Sequence, residues 1–266
     1  MKRYTFGRLS MVLLLCLVIV PSISAETLES PHFVIIYQPS DSSLARAIAG
    51  SIERARETLT EELGVGHENL LKIKFVSFLP STCKARYLPD RTTMEVLTKE
   101  AMTRSFGGEC PPFRFVEGIL WHEYIHFLQH RAMKRFIKDQ NALWFIEGTA
   151  EYLGRLRFVK PYSPEVVWKE GQAILSRGRL PTLEDLNRYH STNQYPLGTY
   201  FFSADAVAFL TDKCGIDSLG QITKCRGNGK ELPECLYQSL GIDLKTFERE
   251  WHDNLEKRYR CYIRNS

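Results

Sequence analysis

Trp121-His122-Glu123-Tyr124-Ile125-His126, followed by Trp144-Phe145-Ile146-Glu147-Gly148-Thr149-Ala150-Glu151-Tyr152, is the pair of segments around which the rest of the chain can be read. Two histidines four residues apart on a helix lie one turn above each other on the same face, so both imidazoles can reach a single ion. Glu123 is turned by about 100° around such a helix and can face a water held by that ion, where a carboxylate serves as general base. A third ligand from a second helix would leave a fourth position open, which separates catalytic zinc from structural zinc.

Outward from this stretch, Pro111 and Pro112 suit the approach and first turn of a helix, and Phe113 to Arg135 carries helical apolar spacing through Phe115, Ile119, Ile125, Leu128 and Met133. Asn141 is a good N-cap for a second helix through Leu143, Ile146, Ala150, Leu153 and Leu156, on which Glu147 and Glu151 share a face. Upstream, His32 to Tyr37 is β-branched and aromatic and reads as a strand. A helix capped by Asp41 or Ser42 then runs to Gly64 with its apolar stripe at Leu44, Ala47, Ile48, Ile52, Ala55, Leu59 and Leu63. Leu71 to Leu79 alternates at first and stops at Pro80, as a strand does. Residues 80–112 admit two readings, a strand over Thr92 to Thr98 or a helix over Met94 to Met102. Downstream, helices are expected over Pro164 to Ser176, Thr182 to Tyr189, Gly198 to Lys213, Leu232 to Leu240 and Leu244 to Tyr259, with a turn-rich stretch from Gly215 to Glu231. The expected fold is α+β: an N-terminal mixed β-sheet with a packed helix, a central helix pair bearing the candidate ligands, and a mainly helical C-terminal portion. As boundaries we take a leader over residues 1–25, an α/β subdomain over 26–112 and a zinc-binding, helical subdomain over 113–266, the last two forming one catalytic unit.

Lys2, Arg3 and Arg8 precede the apolar run Met11 to Val20, and Pro21 with Ser22, Ser24 and Ala25 comes after it, the order of a signal peptide cleaved near Ala25. The run is about half of the roughly 20 residues a spanning helix needs, so an export signal is expected and a stable membrane span in the mature chain is not. Without residues 1–25, Lys+Arg falls from 35 to 32 against 31 acidic residues. Near neutrality gives no argument for nucleic acid as a partner. Cys83, Cys110, Cys214, Cys225, Cys235 and Cys261 remain, an even set that in an exported chain reads as disulfides with fifteen possible pairings. Proximity along the chain favours Cys83 with Cys110 and the other four among themselves. No pair has the C-x2-C spacing of a cysteine zinc site.

His122-Glu123-x-x-His126 together with Trp144-x-x-Glu147-Gly148-x-Ala150-Glu151-Tyr152 resembles the gluzincin zinc metallopeptidases of the thermolysin-like clan, in which a helix-borne glutamate completes the metal site. The match by motif covers about residues 113–157. Looser similarity to secreted, peptidase-like members extends to the opening strand and helix and to Leu240-Gly241-x3-Lys245-x-Phe247-x3-Trp251. The resemblance implies one Zn2+ per chain held by His122, His126 and Glu147, with Glu123 as general base and a peptide or protein substrate. Glu151, one turn from Glu147, could then accept the second ring N–H of His122, against the plain alternative of a solvated charge. The oxyanion donor of related families lies downstream of the third ligand, where His190, Tyr195 and Tyr200 are candidates and Tyr195, beside Pro196, is favoured.

Two relatives of the pattern fail on residues. The longer metzincin motif needs glycine and histidine where this chain has Gln129 and Ala132, and His130 lies about 12 Å along the helix from His122, too far to share the ion. The aminopeptidase branch of the gluzincins carries Gly-x-Met-Glu-Asn ahead of its zinc helix, where this chain has Gly107-Gly108-Glu109-Cys110, so the resemblance does not extend to that segment and endo- or exopeptidase action stays open. The leading expectation is an exported zinc metallopeptidase. The alternative is an exported, non-catalytic binding protein on a peptidase-like scaffold.

Overall fold

The computed structural model describes residues 24–66, 70–80, 83–134, 139–156, 180–192 and 198–263, with side chains through residue 258. The expected helix over Pro164 to Ser176, the leader and Tyr195 lie outside these residues.

Five strands form one mixed sheet: β1 (Glu26–Glu29), β2 (Phe33–Tyr37), β3 (Leu71–Val76), β4 (Ala85–Leu88) and β5 (Thr93–Leu97), in the order β1-β2-β3-β5-β4. β2, β3 and β5 run parallel, and the outer strands β1 and β4 are antiparallel to their neighbours. The register aligns Phe33 with Leu71, Ile73 with both Ile35 and Met94, and Val96 with both Phe75 and Ala85. These rows make one apolar face, and period-two alternation leaves Lys72 and Lys74 exposed on the other. The open choice over residues 92–102 resolves into both halves, since β5 ends at Leu97 and helix α2 (Lys99–Ser105) starts at once, capped by the Thr98 hydroxyl. Neither β1 nor β4 is expected from the sequence, because each has only four residues and is too short for a periodic signal.

Helix α1 (Ser42–Leu63) crosses from β2 to β3, buries Ala45, Ile48, Ile52, Ala55, Leu59 and Leu63, and stops where Gly64 turns left-handed at φ 57°. Asp41 stands at its N-cap position but its carboxylate is used elsewhere, accepting the Lys99 N–H of α2 at 2.7 Å. Helix α3 (Phe113–Met133) is the central element, and its buried residues include Leu120, Trp121, Tyr124, Ile125, Phe127 and Leu128. Two polar contacts fix α1 against it: the Trp121 indole N–H donates to Ser51 Oγ at 3.1 Å, and Arg54 pairs with Glu117.

The second ligand helix has the extent its spacing suggests but changes its winding. α4 runs Leu143–Ala150 and continues as a π-helical turn, Glu151–Arg155. Asn141 does not cap it. Its own N–H is held by Asp139 Oδ1 at 3.0 Å, and the open Trp144 N–H is met by the Asn187 side chain at 2.9 Å. Asn187 belongs to α5 (Leu183–Ser191), which Thr182 and Asp185 start as a capping box. α6 (Thr199–Cys214) packs on α4 so closely that a Cβ on Gly148 would come 2.4 Å from the Ser203 carbonyl oxygen.

The stretch Gly215 to Glu231, expected as turns, holds helix α7 (Asp217–Gly227). Its glycines and polar residues obscure a helix whose inner face carries Leu219, Ile222, Thr223 and the fully buried Arg226. Arg226 pairs with Asp139 and Glu231 and donates to the Lys230 carbonyl, so a buried cation joins α7 to the turn that leads into α4. The disulfide Cys225–Cys235 ties α7 to α8 (Leu232–Leu240), within the group of four expected to pair. Cys83 and Cys110, expected to pair, are both free, the first ahead of β4 and the second exposed past the left-handed Gly107 and Gly108. α9 (Leu244–Ile263) closes the helical side, stacking Phe247 on Trp144 and donating from the Trp251 indole N–H to Asp205 Oδ1 at 2.9 Å. Among the described residues no helix is long and apolar enough to cross a membrane.

Removing Asp139 leaves the buried Arg226 only the exposed Glu231 carboxylate and the Lys230 carbonyl. Asp139→Ala should therefore lower stability by on the order of 3 kcal/mol in urea unfolding, whereas Lys213→Ala, which breaks an outer pair with Glu250, should change it by less than about 1 kcal/mol.

Candidate metal centre

His122 and His126 project from the middle of α3 and meet Glu147 from α4. His122 Nε2 and His126 Nε2 are 3.1 Å apart, and Glu147 Oε2 lies 3.5 Å from the first and 3.3 Å from the second. Ligand atoms at the corners of a tetrahedron with zinc bonds of about 2.0–2.1 Å stand about 3.3 Å apart, so this triangle matches one face of such a site. The three residues form a group that could hold a metal ion. Their side chains keep 12%, 14% and 22% of their surface open, which leaves one side of the triangle approachable.

The charge balance fits a cation. Burial works against a charged His122 ring, but the Glu147 and Glu151 carboxylates outweigh it and push its pKa up to about 10. His126 is raised in the same way, with Glu147 overcoming burial. Burial would raise Glu147, yet His126 and His122 hold its carboxyl well below the usual range. Protons thus collect in the space that one ion would fill.

Glu151 is 1% exposed, which removes the reading of a solvated charge. Its Oε2 lies 3.4 Å from His122 Nδ1, and its Oε1 lies 3.1 Å from Arg155 Nε. Glu147 and Glu151 therefore hold opposite edges of one imidazole. The π-helical turn that carries Glu151 lies directly on α3, where a Cβ on Gly154 would come 2.6 Å from the His122 backbone nitrogen, and only glycine permits that approach. His126 has a different partner. Its Nδ1 is 3.0 Å from Oε1 of the buried Gln129.

Glu123 is held from the sheet side. Its Oε2 accepts the Tyr87 N–H at 2.7 Å, from the edge strand β4. Burial raises its pKa, against the lowering effect of the two histidines and of that N–H. Tyr87 is fixed in turn by its hydroxyl against His130 Nδ1 at 2.9 Å and by its ring, edge-on to Phe127. His130, excluded as a ligand by distance, thus packs with the strand that holds Glu123. Sequence reasoning missed Tyr87 because it lies in a four-residue strand among prolines. Gln129, three residues after His126 on the same helix, was visible by spacing alone.

Of the three oxyanion candidates, Tyr195 lies outside the described residues. Tyr200 and His190 are both at the site. The Tyr200 ring centroid is 6.1 Å from that of His122 and 5.0 Å from that of His190. His190 is buried, has Nε2 2.9 Å from Ser203 Oγ, and is held by burial at a pKa of about 4.

The solved structures similar to this chain include two of one protein. One is a glutamate-to-alanine mutant of an M1 zinc metallopeptidase from Deinococcus radiodurans, at 16% identity and a TM-score of 0.48, covering 86% of this chain and 52% of that one. The other is the same mutant bound to a Tyr-Ser-Ala substrate, at 16% identity and a TM-score of 0.47, covering 86% of this chain and 51% of that one. The chain thus spans about half the length of these proteins. No family model matches it, and no curated protein does.

Proposed function

We propose that the chain is an exported zinc metallopeptidase of the gluzincin type, with His122, His126 and Glu147 as the metal ligands and Glu123 as the general base. The observation that carries this reading is the triangle of two Nε2 atoms and one carboxylate oxygen, of zinc dimensions, with the half-buried Glu123 carboxylate from the same helix close to both histidines. The Cys225–Cys235 disulfide supports an oxidising compartment, as the leader sequence does.

Zinc bound there would lower the pKa of a water and polarise a substrate carbonyl. Glu123 takes the proton of the attacking water and passes it to the departing amine nitrogen. Burial makes this carboxylate a stronger base, and the Tyr87 N–H keeps it ionised and aimed. Tyr200, beside His122, is a candidate donor to the oxyanion, as Tyr195 is from the sequence. Glu151 orients His122 by holding its Nδ1 edge. His190 matters by staying neutral, since a third cationic ring beside the ligands would oppose a divalent ion.

Glu123→Gln should keep about one zinc per chain while lowering kcat on a peptide substrate by roughly a thousandfold. A variant as active as its parent would sink the mechanism, and a parent no faster than the variant would favour the non-catalytic reading. A separate expectation concerns acid. His190 titrates near 6.5 in the unfolded chain and near 4 in the folded one, so its contribution is complete above about 6.5 and is lost as the pH falls toward 4. His190→Gln should flatten the fall in stability between pH 6.5 and 4 by about 3 kcal/mol, read by urea unfolding across that range.

A further inference from the structure

We infer that Gln129 is a positioning residue of the metal centre, selecting the tautomer of His126 and tying it to the backbone next to Glu147. The inference rests on the proposed zinc site and concerns how that site is held. Gln129 is fully buried, and each end of its amide is engaged. The Nε2 end donates to the Ile146 carbonyl oxygen at 3.0 Å, and the Oε1 end lies 3.0 Å from His126 Nδ1.

The direction of these bonds is set by elimination. A backbone carbonyl can only accept, so the NH2 group must face Ile146 and the amide oxygen must face His126. An amide oxygen can only accept, so His126 Nδ1 carries the proton. In the neutral ring that binds a metal, Nε2 then carries the lone pair, and Nε2 is the atom that stands 3.1 Å from His122 Nε2 and 3.3 Å from Glu147 Oε2. Glu151 imposes the same choice on His122, because a carboxylate beside Nδ1 calls for a proton there. With Nδ1 protonated on both rings, a metal ion that displaces the protons collected between them would meet Nε2 on each.

The two ring partners differ in charge. His122 bonds to a carboxylate, which raises the electron density of the ring, whereas His126 bonds to a neutral amide, which orients it without adding negative charge. Gln129 has a second effect. Through the Ile146 carbonyl it joins α3 to α4 one residue before Glu147, so the second and third ligands share one rigid support.

The test separates the two bonds. Gln129→Met keeps length and removes both, while Gln129→Glu keeps an acceptor for His126 Nδ1–H and loses the donor to Ile146. Zinc affinity, measured by competition with a chromophoric chelator, should fall about 10- to 100-fold in Gln129→Met and by a smaller factor in Gln129→Glu, which keeps the acceptor for His126 and loses only the tie to Ile146. Equal affinity of Gln129→Met and parent would overturn the inference and leave the zinc site standing, as would equal losses in the two variants. A parent that binds no zinc would overturn the site and the inference together. Should Gln129→Met not fold, long-range 1H–15N spectra of the zinc-loaded parent decide: a proton on His126 Nδ1 supports the assignment, and one on Nε2 overturns it.

Discussion

Two imidazoles on one helix can act on a common ion only if each ring is prevented from turning its other nitrogen inward. In this chain the Nδ1 edges of His122 and His126 are occupied by Glu151 and Gln129, so the Nε2 edges converge on Glu147. The rest of the structure serves that convergence. A carboxylate has to reach His122 from a second helix, an amide has to be buried beside His126, and α3 has to be held on every side so that neither ring drifts.

The packing meets these demands from two directions. The sheet and α1 hold one side of α3 through Ser51, Glu117 and the apolar face of β2, β3 and β5. α4, its π-helical turn and α7 hold the other, and α6 backs α4, with Gly154 and Gly148 allowing backbone approaches that any side chain would block. The π-helical turn has a specific geometric effect. One extra residue in the turn rotates the positions after Glu151 around the axis, so Gly154 can meet the His122 backbone while Glu151 still faces the ring. Edge strand β4 adds the remaining constraint. Its Tyr87 N–H points away from β5, into the site, and holds Glu123 where an unpaired edge would otherwise meet solvent.

Much of this was legible in the chain because the features are local. The helix α1, its glycine stop, the strands β2 and β3 and the ligand helix α3 announced themselves through periodicity and turn residues, which depend on neighbours three or four positions away. Elements that depend on distant partners did not. Asn141 has the chemistry of a cap, yet Asn187, forty-six residues later, bonds its carbonyl and caps the Trp144 N–H. Helix α7 looked like turns because its core-facing Arg226 is acceptable only once Asp139 and Glu231 arrive to pair with it. Cys83 and Cys110 are near in sequence, but a disulfide needs a specific approach of two Cβ atoms, and closeness along the chain does not supply it.

By itself the sequence determined the donor types, their spacing and the α+β order of elements, because helix geometry places residues 122, 126 and 130 and the pair 147 and 151 without reference to anything else. Tertiary structure alone decided that Glu151 is buried against His122, that Tyr87 holds Glu123, that Gln129 bridges His126 to Ile146, and that Tyr200 and His190 stand beside the ligands. The reason is physical. A motif fixes directions within one helix, whereas protonation, tautomer and ring orientation are set by groups brought within about 3 Å from other parts of the chain, and only packing brings them there.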